Sequence, residues 1–384
     1  MTTAPDAPPR PLSPNSVLAN ALLRSIDMIR PKVVAARPRR IVFVVGTQVN
    51  GAPHLGTSIV QTSAFLLARL ARRAFSVDTA VRFSALDNAP YEVTLDPETH
   101  RAYQITYFHA LGEDGVDELI DRYYRALFDS LSDATDTDYE LDTYTGQQAT
   151  PAYRTEFLRS LEDFDALRWW LAPSTGIVHT RLPCPACGWA EKRAEQTRLV
   201  RVGGDGAIFT AVCYEHGDYE MCIDPVDGGY LDLATLYRNV IKERALVRER
   251  SVLYVMVKGG DWAFGCQLVD GALLALATPA ADMPARIFTP HGLIRIRRQA
   301  LQEPAPRRAR QPRPRRHRGL DARGRGMARH YRQLRRCPDL AGRRSPGRPQ
   351  ALLPILHHHR ARTPDGPAPR RTRHPRTSPR DADL

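Results

Sequence analysis

Residues 41–45, Ile-Val-Phe-Val-Val, form an unbroken apolar run, the pattern of a strand covered on both faces. A polar, glycine-bearing turn follows from Gly46 to Pro53. Leu55, Ile59, Leu66 and Leu70 then recur at helical spacing, which predicts a helix starting near His54 or Leu55. The pattern of 75–86 predicts a second strand, closing a βαβ unit at Ser84-Ala85-Leu86-Asp87-Asn88. Val116, Leu119, Ile120, Tyr123, Leu127 and Leu131 mark one amphipathic helix over 115–131. An edge-like strand is expected at 138–145 and a helix at 151–170, with Trp169 and Trp170 in the core. Further on, 230–247 reads as a helix, 251–257 as another wholly apolar strand, 264–276 as a helix and 287–290 as a last core strand.

The alternation of strand and helix makes this an α/β chain with a Rossmann-like parallel sheet in two halves, 39–180 and 225–292. Residues 1–38 read as a flexible Pro-rich arm whose apolar patch, Val17 to Ile29, is able to dock as a helix. The insertion at 181–224 changes character, to short strands between two cysteine knuckles.

Those knuckles carry the most specific signal in the chain. Cys184 and Cys187 form a CxxC, and Cys213 and His216 form a CxxH about 25 residues later, each followed by a glycine, Gly188 and Gly217. Two such pairs supply four soft or borderline ligands, which satisfies tetrahedral zinc and leaves no position for water. A structural zinc ribbon is therefore expected, with Cys222 as an alternative fourth ligand to His216. Unligated buried thiols are the plainer alternative.

Two strand ends offer a place for a nucleotide. The first strand feeds a glycine turn and a helix N-terminus, where free N–H groups and the helix dipole attract an anion. The turn has neither GxGxxG nor GxxxxGK[ST], so it is not a dinucleotide fingerprint or a P-loop. The second apolar strand ends in Lys258-Gly259-Gly260-Asp261, where glycines admit a ligand to the backbone and an aspartate can hold a ribose diol. Asp87, Asn88 and Tyr91 follow the end of the strand between them and are candidate substrate contacts, or else an ordinary turn.

Pro53-His54-Leu55-Gly56-Thr57 resembles the HIGH signature of class I aminoacyl-tRNA synthetases, and Gly259-Gly260-Asp261 resembles their ribose-binding Gly-x-Asp. The order of parts, with DTYTGQQATPAY, a long helix and a CPxCG ribbon, is most similar to the class I lysyl type over about residues 40 to 292. The resemblance implies a HUP-type sheet and ATP-dependent amino-acid activation, in which a carboxylate attacks the α-phosphate, followed by transfer to tRNA. It implies ATP with Mg2+ as cofactor, a cytoplasmic setting, and catalytic roles for His54 and Thr57. ATP contacts would fall on Gly46, Asn50, Gly51, Pro53, His54, Gly56, Gly259, Gly260 and Asp261. Amino-acid contacts would fall on Gln48, Asp87 and Tyr91. Thr57 stands where the family has its last histidine. Other readings are a nucleotidylyltransferase or amino-acid-activating paralogue outside translation, and a non-enzymatic zinc-ribbon RNA-binding protein.

Composition changes this picture only at the C-terminal end. The net charge is +13, but from Arg295 onward there are 26 Arg, no Lys and six acidic residues, leaving 1–294 at −7. The basic character belongs to an Arg/Pro-rich tail, 293–384, which composition alone describes as disordered. The synthetase family has a KMSKS loop here, and this sequence has none. Read one base later, Gln299-Ala300 must encode Lys or Arg, as must Gln302-Glu303. With GC-rich codons the stretch becomes Lys-Leu-Ser-Lys-Ser, a KxSKS loop. A shift of frame between about Gly292 and Arg297 is therefore expected, with weak or no activity in the chain as written. Taken at face value, the tail is an arm drawn to RNA phosphates in a salt-dependent way. No apolar run approaches the roughly 18 residues a membrane span needs, and no secretory leader is apparent. Six cysteines, two of them in the CxxC, fit a reducing compartment.

Overall fold

The computed structural model describes residues 16–203 and 206–290. The tail at 293–384, the first 15 residues and any loop restored by a shifted frame lie outside them. The apolar patch of the arm belongs to helix α1, Val17–Ala36, capped by Ser16, whose hydroxyl accepts from the Ala19 N–H at 3.0 Å. Leu22, Ile26, Ile29 and Val33 recur every three or four residues and are buried against the sheet core.

Strand β1, Arg40–Gln48, leads into α2, Leu55–Phe75, and β2, Asp78–Leu86. Phe75 thus ends the helix rather than opening the strand. A hairpin absent from the sequence reading follows, β3 Pro90–Leu95 and β4 Ala102–Thr106. The helix expected over 115–131 is present within a longer helical run: α3, Tyr107–Ile120, passes through a π-helical turn over 121–125 into α4, Ala126–Thr135. Gly112 at φ 73° breaks α3 near its start. Strand β5 spans Asp138–Thr143, α5 Tyr144–Gln148, α6 Pro151–Ser160 and α7 Phe164–Leu171. The long helix expected at 151–170 is therefore interrupted at 161–163. Neither tryptophan is in the core: Trp169 and Trp170 are both exposed, although the Trp170 ring lies over α9 at Gly271.

The insertion contributes β6 Thr180–Arg181, β7 Ala190–Glu191, and an antiparallel ribbon of β8 Arg198–Gly203, β9 Gly206–Cys213 and β10 Gly217–Ile223. Then come β11 Asp232–Leu233, α8 Thr235–Leu246, β12 Val252–Gly259, α9 Ala263–Ala275 and β13 Ala285–Thr289.

The central sheet has five parallel strands in the order β13-β12-β1-β2-β5. Ile41, Phe43 and Val45 face α1 and α2, and Phe83 meets Phe128 of α4 edge-on at 4.7 Å. On the other face Val42, Val44, Tyr254 and Met256 form a smaller cluster. A separate core joins α5–α8 to the ribbon through Tyr144, Tyr153, Phe157, Phe209 and Tyr237. The fold is thus α/β with a parallel sheet fed from both halves of the sequence.

Strands β1 and β12 pair from Arg40↔Val252 to Val44↔Met256 and then part. Each stays bound to its outer neighbour, β1 to β2 as far as Gln48↔Leu86 and β12 to β13 as far as Gly259↔Thr289. The parting opens a crevice at the carboxyl ends, where strand order reverses about the middle of the sheet.

Candidate functional sites: a strand-end crevice and a Cys3His cluster

Cys184, Cys187, Cys213 and His216 converge, their ligand atoms all within 4.8 Å of one another. Cys187 Sγ stands 3.4 Å from Cys213 Sγ, and His216 Nδ1 is 3.8 Å from Cys184 Sγ and 3.6 Å from Cys213 Sγ. Zinc bonds of ordinary length in a tetrahedron put two sulfurs about 3.8 Å apart and a sulfur and a nitrogen about 3.5 Å apart. The side chains fit such an ion. Cys222, the alternative ligand, lies along β10 opposite Ile208 and outside the cluster.

The knuckle turns by local means. Gly188 takes φ 78° and its N–H donates to the Cys184 carbonyl at 2.8 Å, while the Glu215 N–H donates to Cys213 Sγ at 3.4 Å. Without a cation the thiols compete for one negative charge. Hydrogen bonding from the Cys187 thiol favours the Cys184 thiolate, and the same bond pushes the Cys187 thiol up. A divalent ion removes that conflict.

A buried polar network ties this region to the sheet. Asp232, wholly buried, accepts from Arg181 at both oxygens (2.6 and 3.0 Å), from Asn88 at 2.8 Å and from Gln104 at 3.2 Å. Arg238 in turn donates to Asn88 Oδ1 at 2.8 Å. Asn88, a candidate substrate contact from sequence, is therefore occupied within the protein. Tyr91 sits on the exposed β3 and meets Tyr107 edge-on at 5.2 Å.

The crevice collects most of the remaining predicted residues. Gly46 is exposed in the middle of the sheet, and a Cβ there would fall 3.1 Å from the Ser84 carbonyl oxygen of β2. The Tyr124 hydroxyl, held up at about 12 by burial, pins the turn that follows by donating to the Gln48 and Gly51 carbonyls at 3.1 and 3.0 Å. Asn50 donates to Gln48 Oε1 at 3.2 Å. His54 is the N-cap of α2: Nδ1 accepts from the Thr57 N–H at 3.3 Å, and Nε2 lies 3.1 Å from Thr57 Oγ1. If Nδ1 accepts, Nε2 carries the proton and the Thr57 hydroxyl is left free to donate outward. Gly56 leaves space beside this ring, for a Cβ would stand 3.1 Å from His54 Cε1. Across the crevice Gly259 ends β12, and Gly260 and Asp261 form a single 3-10 turn before α9.

Asp87, just past the end of β2, is 1% exposed; burial raises it to about 6 although Thr145 N–H donates to Oδ1 at 3.1 Å. Its Oδ2 meets no hydrogen-bonding geometry among the described residues, although the Thr145 side chain lies close enough to favour the charged form. Sequence reading missed the other charged groups here. Arg238 and Lys242 lie one turn apart on α8, and Lys258 on β12 donates to Asn239 Oδ1 at 3.4 Å and stands 5.3 Å from the Trp262 ring centre. The signal was available: two cations four apart on a helix whose remaining residues are mostly apolar.

Burial lowers Lys242 to about 7, with repulsion from Lys258, Arg238 and Arg286 outweighing the attraction of Glu243. The unfolded lysine keeps its proton to about pH 10, so stability rises with pH between about 7 and 10, and below 7 the full cost of the buried charge remains. Lys242→Met removes that cost. Its melting temperature should exceed the parent's most at pH 6, with the gap closing towards pH 10; a gap independent of pH would contradict the assignment.

The fold and site thus define an α/β protein with a five-stranded parallel sheet, an open strand-end crevice and a Cys3His cluster fit for a metal ion. No helix among the described residues is long and apolar enough to cross a membrane. No family model matches the chain, and no curated protein matches it. Among solved structures it is similar to a Campylobacter jejuni protein provisionally described as an arginyl-tRNA synthetase, at 10% identity and a TM-score of 0.30. The alignment covers 70% of this chain and 60% of that one, so this chain spans less than two thirds of its length. A likeness that distant carries no argument about fold or activity.

Proposed function

We propose that the crevice binds ATP with Mg2+ and that the chain is a class I synthetase-like protein built for amino-acid activation and transfer to tRNA. The observation that carries this reading is the parting of β1 from β12 after Val44↔Met256, with the N-terminus of α2 on one side and Gly259-Gly260-Asp261 on the other. Phosphates would lie at the α2 N-terminus, where backbone N–H groups, the Thr57 hydroxyl and the helix dipole favour negative charge. Adenine would pack in the gap at Gly56 and Gly259, and Asp261 would hold the ribose. Such a site works by preorganised donors aimed at charge that develops on the α-phosphate. A metal in the Cys3His cluster would serve structure, since all four ligand positions are protein side chains.

The test is ATP binding by the intact chain, read by calorimetry. ATP with Mg2+ should bind, and His54→Ala should weaken it roughly tenfold, the order of one lost charge-assisted contact together with a helix cap. No binding at millimolar ATP would end the reading. ATP–pyrophosphate exchange should be weak or absent in the chain as written and should appear when the DNA encoding 287–307 is shifted by one base.

A further inference from the structure

The α8 side of the crevice carries more positive charge than the carboxylates described around it offset. Arg238 and Lys242 are 7% and 8% exposed, and Lys258 faces them from β12. Asp232 gives both oxygens to Arg181. Glu243 gives both of its oxygens to Arg286, at 3.0 and 2.7 Å, and Asp270 holds the same guanidinium, so the pair leaves one negative charge over against three cations. Among the described residues, Arg238, Lys242 and Lys258 form no ion pair. Arg238 reaches the Asn88 side-chain oxygen and lies over the Tyr144 ring, and Lys258 reaches the Asn239 oxygen and lies over the Trp262 ring. Two buried cations and a half-buried third are costly beside one another unless an anion joins them.

Their place in the fold says where that anion sits. Continuing the β1–β12 register past the last pair sets Lys258 level with Gly46, at the point where the strands part. Asn88, which receives Arg238, follows Asp87, a buried carboxylate that Thr145 alone engages, through its N–H and its side chain, among the described residues. One end of the sheet therefore offers an acceptor that fits an ammonium and a cluster of cations that fits an anion.

We propose that this half of the crevice is the substrate pocket and that it takes a small amino acid with an anionic side chain. The α-ammonium would lie at Asp87 and the side-chain carboxylate at Arg238, Lys242 and Lys258. The naming of a substrate as an amino acid rests on the activation reading above; the anion site does not. The cluster speaks against the lysine-type resemblance, because a lysine side chain would add a fourth positive charge. It also differs from a phosphate site, for the phosphate-binding features of the crevice, a helix N-terminus and its backbone N–H groups, belong to α2 on the opposite wall.

Calorimetry on the intact, zinc-loaded chain tests it, with L-glutamate, L-aspartate, L-glutamine, L-lysine, ATP and inorganic pyrophosphate as separate titrants. One of the two acidic amino acids should bind at least roughly tenfold more tightly than glutamine, and lysine should not bind, the span expected when a buried charge pair is made or left unmade. Lys242→Met should remove that preference while ATP binding changes by less than about threefold. Its melting curve checks folding independently, and Lys258→Met should act in the same direction. The proposal falls if acidic and neutral amino acids bind alike, or if Lys242→Met weakens ATP and pyrophosphate instead. Acid binding without ATP binding would overturn the activation reading alone, and ATP binding without acid preference would overturn this one alone.

Discussion

Replacing Cys213 by Ser should strip the chain of its metal and unfold the insertion at 181–224. Three sulfurs and one imidazole nitrogen lie within 4.8 Å of one another, so the loss of one ligand leaves a three-coordinate site with two crowded thiols. Structural zinc contributes about 10–16 kcal/mol in isolated finger peptides; in a larger chain part of that is replaced by packing, and a loss of several kcal/mol is expected. The damage should travel. Gly188 of the first knuckle lies against His109, where a Cβ would come within 2.8 Å of the His109 Cβ, and the Tyr214 ring meets that of Tyr103 at a tilt, with centroids 5.7 Å apart. Loosening the knuckle therefore loosens the start of α3 and the β3–β4 hairpin. Elemental analysis of the purified protein should find one zinc per chain, lost in Cys213→Ser and retained in Cys222→Ser. An unchanged melting temperature in Cys213→Ser, or no metal in the parent, would refute this assignment.

Asp232→Ala should be the most damaging single change to the body. Asp232 is fully buried and receives Arg181, Asn88 and Gln104 together. Alanine leaves a guanidinium and two amide donors without their acceptor. Removing one partner of a buried ion pair costs about 3–5 kcal/mol, and each stranded donor adds about 1–3 kcal/mol more. Much of the stability of an ordinary domain would be gone. Asp232→Asn keeps the shape but not the charge and should lose less. Urea midpoints of the two variants provide the comparison; equal and small shifts would show that the network is dispensable. Since Arg238 hangs on Asn88, the same variants should also disorder the basic wall of the crevice.

Several elements were legible because one local property decides each. The apolar runs at 41–45 and 251–257 are adjacent strands of the sheet because a strand buried on both faces needs such a run. The cysteine knuckles were legible because tetrahedral ligation constrains spacing along the chain more tightly than packing does. The start of α2 was legible from a polar turn ahead of a helical apolar period. The hairpin β3–β4 escaped notice because β3, though Tyr91, Val93 and Leu95 alternate with polar residues, is short and almost wholly exposed. The helix expected at 115–131 was found, as part of a longer helical run with a π turn at 121–125, whereas the one expected at 151–170 broke because apolar period does not register a turn at 161–163.

The sequence by itself determined the α/β class, the central strands, the paired cysteine knuckles that could hold a metal ion and the glycines at two strand ends. These follow from forces acting over a few residues: side-chain period, turn stereochemistry and ligand chemistry. Only the tertiary structure decided that β1 and β12 lie side by side and then part. The same holds for His216 completing the cluster rather than Cys222, for Asn88 serving the fold, and for Arg238, Lys242 and Lys258 sharing one wall. The physical reason is that charge balance in the interior is settled between residues far apart in the chain. A lysine on a helix looks solvated until the carboxylates around it are found already paired.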